Sequence, residues 1–162
     1  MGGEHSDILQ FGDYIQRNLK FLELKNGIKL STTQTANFIR SELAEALRKG
    51  PYQVNCILAG IDEDGPKLYW IDYLGTLVEN EKAAHGYSEY FVHSTMDTLN
   101  KANLTQEEGL NIINYCINEM KTRFLANQNT FTIKVLTRDG IKVIKAAEKP
   151  IPVQCGWLTD SK

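Results

Sequence analysis

The sequence lacks the features that mark a disulfide-rich, membrane-spanning or nucleic-acid-binding protein. Its three cysteines, Cys56, Cys116 and Cys155, lie far apart without a Cys-x-x-Cys pair, which indicates reduced thiols rather than a disulfide framework or a zinc site. No apolar run approaches the roughly 20 residues of a membrane helix, and the start MGGEHSD lacks both regions of a signal peptide. A net charge of -2 with a pI near 5.9 supplies no basic stripe. We therefore expect an intracellular protein with neither nucleic acid nor membrane as a partner.

The composition is that of one globular domain or the larger part of one. The chain has 162 residues, of which 42% are hydrophobic and 23% charged, and this length suffices to bury a core. No linker rich in Pro, Gly or Ser divides it. The final stretch EKPIPVQCGWLTDSK contains two prolines, which favour an extended arm. We predict one domain over residues 1–147 and an arm over residues 148–162.

The stretch PYQVNCILAGIDEDGPKLYWIDYLGT, residues 51–76, predicts two strands at the centre of a sheet. Gly65 can take a positive φ in the turn, and Pro66 fixes the restart of the chain. Apolar residues occupy both alternating faces of the first strand: Val54, Cys56 and Leu58 on one, and Ile57, Ala59 and Ile61 on the other. Both faces of this hairpin therefore need cover.

Four amphipathic helices are predicted around this hairpin. Three begin at residues suited to capping: Ser6, Ser31 with Gln34, and Thr105 with Glu108. The first two end at glycine-containing pairs, Asn26–Gly27 and Gly50–Pro51, and a further helix is predicted over residues 86–101. The apolar stripes are Ile8, Phe11, Ile15, Leu19 and Leu22; Ala36, Ile39, Leu43 and Leu47; and Leu110, Ile113, Ile117, Met120 and Phe124.

The segment TFTIKVLTRDGIKVIKA predicts a second hairpin, with its turn at Asp139–Gly140 and with Phe131, Ile133 and Val135 inward. The order helix, helix, hairpin, helix, helix, hairpin favours an α+β fold with helices on both sides of antiparallel sheet. Four helices present more apolar surface than two hairpins can cover. The chain is also expected to open directly onto its first helix, with no strand before it.

Several residues could be assigned chemical roles. His85, Ser88, His93 and Asp97 lie within thirteen residues, but no nucleophile-elbow sequence surrounds Ser88, which favours a helix cap and surface or interface histidines over a hydrolytic triad.

Other candidate binding features also have simpler interpretations. The run Asp62, Glu63 and Asp64 lacks the spacing of a calcium loop and is predicted to be a solvated turn. Trp70 is predicted in the core and Trp157 at an interface. No cofactor or metal site is predicted.

Five blocks carry a resemblance to a known family: GEHSDILQFGDYIQRNLKF, ANFIRSELAEALRKGPYQVNCILAGIDEDGPKLYWIDYLGT, AAHGYSEYF, TQEEGL and TFTIKVLTRDGI. From Gly3 to about Val143 the chain resembles the beta subunits of the eukaryotic proteasome core particle. PYQVN, DYLGT and AAHGY resemble in particular the branch at the fourth position of the beta ring. The resemblance implies the Ntn-hydrolase fold, a four-layer αββα sandwich, in which helices cover one face of the 51–76 hairpin and a second sheet covers the other.

The resemblance also bears on catalysis. In the family, the residues that match Gly3, Glu4 and Asp7 close a strand, so the chain is expected to lack its first strands and, with them, the N-terminal threonine nucleophile and its aspartate and lysine partners. GYSE stands where active members have GSGS. Phe124 and Asn127 stand where they have a supporting aspartate and serine, and a phenyl ring cannot accept a carboxylate's hydrogen bonds. No catalytic residue is therefore predicted.

The implied function is that of a non-catalytic structural subunit of the beta ring, in the ubiquitin-proteasome pathway of protein degradation in the cytoplasm and nucleus. Its expected partners are alpha-ring subunits at the first two helices, the opposite beta ring at the later pair, and neighbouring beta-ring subunits, one of them reached by the arm. Two alternatives are an active threonine-type peptidase subunit that has lost its front, and a free-standing α+β binding module.

Overall fold

The computed structural model describes residues 1–124 and 130–145. The chain divides into two compact units. The first contains Met1–Glu89 with Leu136–Gly140, and the second contains Tyr90–Val135 with the residues from Ile141 onward. The single domain predicted over residues 1–147 stays a prediction, and the arm predicted over residues 148–162 lies outside the described residues.

A four-stranded antiparallel sheet forms the base of the first unit, in the order β1 (Gly2–Gly3), β2 (Val54–Asp62), β3 (Gly65–Ile71) and β4 (Leu77–Glu79). The predicted hairpin is confirmed as its two central strands, which pair from Cys56 with Ile71 to Asp62 with Gly65. Gly65 has φ 127°, as the tight turn requires. The expectation that no strand precedes the first helix was wrong, because β1 pairs with Asn55 and Val54. A strand of two glycines has no apolar alternation that could reveal it.

Helix α1 (His5–Asn26) begins and ends at residues that satisfy its terminal backbone groups. The predicted cap at Ser6 was wrong: Glu4 is the N-cap, and its carboxylate accepts a hydrogen bond from the Asp7 N–H at 3.0 Å. Ser6 instead donates its hydroxyl to the same carboxylate. The predicted end is confirmed, since Gly27 has φ 69° and donates its N–H to the carbonyl of Glu23.

Helix α2 (Thr32–Ala46) has the predicted capping box of Ser31 and Gln34 but ends four residues before the predicted Gly50. Its first turn lies directly on β2. A Cβ atom at Gly60 would come within 1.9 Å of the Thr32 hydroxyl oxygen, so only glycine permits this approach. The start of α2 is thereby fixed against the sheet.

The core of the first unit lies between the two helices and one face of the sheet. Its buried residues are Phe11, Ile15, Ala36, Ile39, Leu43, Val54, Cys56, Tyr69 and Ile71. They include the centres of both predicted helical stripes. Helices therefore cover one face of the hairpin, as predicted.

The opposite face is covered much less. Ile57 and Val78 remain 38% and 39% exposed, although they flank Trp70 in the register of the sheet. Beside this row, Leu136 lines an open cleft of about 510 Å³ together with Ala59 and Leu68. The second sheet that the resemblance places over this face stays a prediction.

In the second unit, α3 (Glu89–Leu99) follows a 3₁₀ turn at Gly86–Ser88, and α4 (Gln106–Arg123) has the predicted capping box of Thr105 and Glu108. The apolar stripe of α4 is buried less than its periodicity suggests: Cys116 is buried, whereas Ile113 is 41% exposed.

The second predicted hairpin is confirmed as a two-stranded sheet of β5 (Thr132–Thr137) and β6 (Gly140–Lys145). Gly140 has φ 125° at its turn. Ile133 is buried, and Phe131 and Val135 are partly buried, which agrees with the predicted inward face.

Candidate functional site

Three segments that stood out in the sequence meet at one end of the four-stranded sheet, where β2 begins and β3 ends. They are residues 51–55, 72–76 and 83–88, and we call them the block cluster. Cys56 pairs with Ile71 beside all three. The predicted hairpin already brings residues 51–55 and 72–76 together, but nothing in the sequence indicates that residues 83–88 join them.

The 72–76 turn is held by side chains that bond to its backbone. One carboxylate oxygen of Asp72 accepts the N–H groups of Leu74 at 3.0 Å and Thr76 at 2.8 Å. The amide oxygen of Asn55 accepts the N–H of Tyr73 at 3.0 Å and so joins the first segment to the second. The DYLGT sequence is therefore organised by its own aspartate and by an asparagine from the neighbouring segment.

The 83–88 segment is fastened to the sheet by an indole and an imidazole. Trp70 donates its Nε1–H to the carbonyl of Ala84 at 3.2 Å. The His85 ring stacks on Trp70 with 5.1 Å between ring centroids, and its Nε2 lies 3.0 Å from the carbonyl oxygen of Cys56. Trp70 is only partly buried and lies on the surface of the sheet, so the prediction that it belongs to the core was wrong.

The N-terminal residues also reach this end of the sheet. The N–H of Glu4 donates to the Gln53 carbonyl at 2.9 Å, and the Gln53 N–H donates to the Asp7 carboxylate at 2.9 Å. A Cβ atom at Gly3 would come within 2.0 Å of the Gln53 carbonyl oxygen. Gly3, Glu4 and Asp7, the GE..D residues, therefore all contact the backbone of Gln53 in the first segment. The sequence shows their spacing but does not show that Gln53 is their partner.

The arrangement at Ser88 does not resemble an activated nucleophile. Its hydroxyl donates to the backbone carbonyl of His85 at 2.7 Å, just before α3 begins. The His85 ring nitrogen Nε2 faces the Cys56 carbonyl instead of the serine. A serine nucleophile needs its hydroxyl bonded to a base, and these two side chains do not form that pair. His93 and Asp97, the other members of the considered triad, lie on α3 in the second unit.

The buried thiols are poor nucleophiles as well. Burial raises the pKa of Cys56 to about 11, and burial also raises the pKa of Cys116. Because the thiolate is the reactive form, both side chains are protonated at neutral pH and behave as small apolar groups. Cys155 lies outside the described residues.

The acidic run at the β2–β3 turn divides into two roles. Glu63 and Asp64 form the exposed turn that was predicted. Asp62 was wrongly grouped with them, since its carboxylate accepts the Thr32 N–H at 3.0 Å and the Thr32 hydroxyl at 2.7 Å. These hydrogen bonds lower the pKa of Asp62. No group of three or more potential metal ligands occurs within residues 1–124 and 130–145.

Phe124 stands at the position that the resemblance assigns to a supporting aspartate. It follows the last turn of α4, and its ring lies 6.0 Å from that of Phe91 between centroids. Asn127 and Trp157, the other residues singled out in these regions, lie outside the described residues. Among the helices described here, none is long and apolar enough to cross a membrane.

Comparison with known proteins shows one consistent relationship. The sequence model of the family described as "Proteasome subunit" matches residues 1–136. The chain is 42% identical over 146 residues to "Proteasome subunit beta type-2" of Dictyostelium discoideum, covering 88% of this chain and 73% of that protein. It is 45% identical over 141 residues to the rice protein of the same description, covering 86% and 66%. The Saccharomyces cerevisiae "Proteasome subunit beta type-4" is 37% identical over 145 residues, covering 88% and 73%.

Proposed function

The chain belongs to the proteasome subunit family, and from this membership we propose that it is a non-catalytic, structural subunit in the beta ring of a proteasome core particle. The relatives named above are described as beta type-2 or beta type-4 subunits. The resemblance described in the sequence analysis favours the fourth position of the ring. The proposal includes the four-layer sandwich, alpha-ring and beta-ring neighbours, and a role in protein degradation in the cytoplasm and nucleus.

The observation that carries the non-catalytic part of the proposal is the apolar contact at Phe124. Where active relatives of this family are expected to have a carboxylate, this ring packs beside Phe91. A phenyl ring neither accepts hydrogen bonds nor orients a nucleophile. The hydroxyl of Ser88, the other candidate, is bonded to a backbone carbonyl. Both points favour a subunit that contributes to the structure of the particle and does not cleave peptides itself.

An active-site label tests this directly. Core particles that contain the full chain should be treated with a peptide electrophile that reacts with N-terminal threonine, and each subunit should then be examined by mass spectrometry. We expect adducts on other subunits and none on this chain, and we expect the purified chain to leave fluorogenic peptides uncleaved. Turnover by the purified chain that disappears with Ser88→Ala would contradict the proposal.

Assembly separates the proposal from a free-standing binding module. When the full chain is produced together with the other core-particle subunits, we expect it to migrate in size-exclusion chromatography with a complex of very high mass. A chain that elutes alone, while the other subunits assemble without it, would favour the binding module.

A further inference from the structure

The edge strand β1 covers only the beginning of β2. Its two glycines pair with Asn55 and Val54, whereas β2 continues to Asp62. Just before β2, the carbonyl of Gln53 accepts the N–H of Glu4, so the backbone groups of odd-numbered residues point towards the β1 side. From position 57 onward, no residue of β1 lies opposite this edge.

The uncovered edge carries a row of hydrogen-bonding groups, the N–H and C=O groups of Ile57, Ala59 and Ile61. The even-numbered residues of β2 face β3 instead, as the pairing of Asp62 with Gly65 across the tight turn requires. Among the residues that the structure describes, none donates to or accepts from the backbone of the three odd-numbered residues. Unpaired groups of this kind are a template for another extended chain.

A cavity of about 470 Å³ borders the same stretch of β2, from Leu58 to Asp62. Its other walls are the start of α2 and the turn of the second hairpin, from Leu136 to Gly140, which belongs to the same compact unit. We call the uncovered row and this cavity the edge groove. Because the hairpin turn borders the cavity, the edge groove admits a single strand more readily than the sheet edge of a second folded copy.

The walls of the edge groove favour particular side chains in such a strand. On the side opposite the helices, Ile57 and Leu136 are exposed and apolar. Lys29 and Arg138 add two cations to the walls, whereas the carboxylate of Asp62 is already bonded to the start of α2. A strand that alternates apolar and acidic residues complements both features, since successive side chains point to opposite faces of a sheet.

We infer that the edge groove binds an extended, acidic polypeptide segment of another protein, which adds a strand to the edge of β2. In this mode of recognition, main-chain hydrogen bonds supply the affinity and alternate side chains supply the specificity. The inference goes beyond the proposed function, because it gives a non-catalytic chain a peptide-binding site of its own.

Peptide binding to the isolated full chain tests the inference. The probe is a fluorescently labelled peptide with blocked ends, Thr-Val-Glu-Val-Glu-Val-Thr, and its binding is followed by anisotropy. Its valines should lie opposite the three odd-numbered residues of the edge and bond to them through their N–H groups. We therefore expect the peptide with N-methylated valines to bind about tenfold more weakly or worse. The peptide with lysine in place of both glutamates should also bind more weakly.

Variants of the chain test the edge and the charges separately. Ala59→Pro removes one N–H from the edge and keeps the ladder with β3, since proline is tolerated where the N–H of a strand points away from its neighbour. It should lower the affinity about tenfold and leave the thermal melt close to that of wild type. Lys29→Glu with Arg138→Glu should weaken binding of the glutamate peptide and strengthen binding of the lysine peptide. The matched control, Lys25→Glu with Arg48→Glu, changes two exposed cations outside the edge groove and should behave like wild type.

Hydrogen exchange locates the bound peptide. The amides of Ile57, Ala59 and Ile61 should exchange quickly in the free chain and become protected by the peptide, while those of Leu58 and Gly60 stay slow throughout. Absence of binding by the wild-type chain, or equal binding of the N-methylated peptide, would overturn the inference. Protection of the three amides that grows with protein concentration alone would assign the edge to a second copy and overturn it as well. None of these outcomes bears on the proposed place of the chain in a core particle.

Discussion

The two faces of the four-stranded sheet carry similar residues but have different surroundings. Towards the helices, Val54 and Ile71 are completely buried, whereas Ile57 and Val78 on the opposite face keep more than a third of their surface exposed. Both sets are apolar and β-branched in large part. The difference teaches that apolar alternation tells which residues can be buried, while only the packing partner decides which of them are.

Most of the packing that stabilises the first unit lies on one side of its sheet. The buried core is on the helical side, where Gly60, Asp62 and the capping box hold the start of α2 against β2. The opposite side has the open cleft beside Leu136. Substitutions on the two faces should therefore have very different consequences.

The largest effect is expected where the helical side is most tightly packed. Leu43→Ala removes a side chain that is 1% exposed, and such truncations cost about 2–5 kcal/mol of the free energy of unfolding. Ile57→Ala removes a similar volume from the open face and should cost less than half as much. Urea unfolding of both variants measures the difference. Equal losses would mean that the open face is covered as well as the helical one.

A smaller effect is expected from closing the gap between α2 and β2. Gly60→Ala places a methyl group against Thr32, and overpacking of this kind costs about 1–3 kcal/mol. Ala59→Ser changes the adjacent residue, whose side chain points to the other face, and should shift the urea midpoint little. If Gly60→Ala unfolds at the wild-type midpoint, α2 can move away from the sheet without cost.

Much of this architecture could be predicted from the sequence because it is encoded locally. The capping boxes at Ser31 and Thr105, the αL glycine at position 27 and the two hairpins all depend on residues within a few positions of each other. The cap of α1 was misjudged because Ser6 and Glu4 are both capable of capping, and the difference lies in where the chain enters the helix.

The candidate site was predictable only in part because its contacts join distant segments. The predicted hairpin already places Asn55 and Asp72 at the same end of the sheet, but nothing local indicates that His85 meets them there. Asp62 was assigned to a turn since its sequence neighbours are acidic, although its partner Thr32 lies 30 residues away. Exposure of Ile57 could not be foreseen either, because periodicity cannot show what lies opposite a face.

The third test removes the charge of Asp62, whose carboxylate joins the end of β2 to the start of α2. Hydrogen bonds from Thr32 lower the pKa of Asp62, so the ionised carboxylate stabilises the folded state. This contribution is fully present above the unfolded-state pKa, near 3.9, and is lost as the pH falls through the lower folded-state value. Asp62→Asn should therefore be less stable than wild type at pH 7, and the gap should narrow below about pH 4.

The control for this test is Asp64→Asn in the same acidic turn, which is exposed. It should follow the wild-type unfolding curve at both pH values. A gap between wild type and Asp62→Asn that stays constant down to pH 2 would show that the amide disturbs the packing rather than the charge.

The smallest change in stability is expected on the open face, where the effect should appear in surface behaviour instead. Exposed apolar surface beside a cleft binds hydrophobic dyes and promotes association, so the isolated full chain should bind such a dye and self-associate as its concentration rises. Ile57→Thr combined with Val78→Thr keeps β-branched side chains and makes both more polar. We expect this pair to lower dye fluorescence and association while shifting the urea midpoint little.

Ile141→Thr with Val143→Thr makes the same two changes on β6, where both residues are also exposed, and provides the matched control. A larger loss of dye binding in the control would place the sticky surface on β6. A monodisperse wild-type monomer that binds no dye would show that the open face is less available than its exposure indicates, and the contrast between the two faces would then be one of packing density alone.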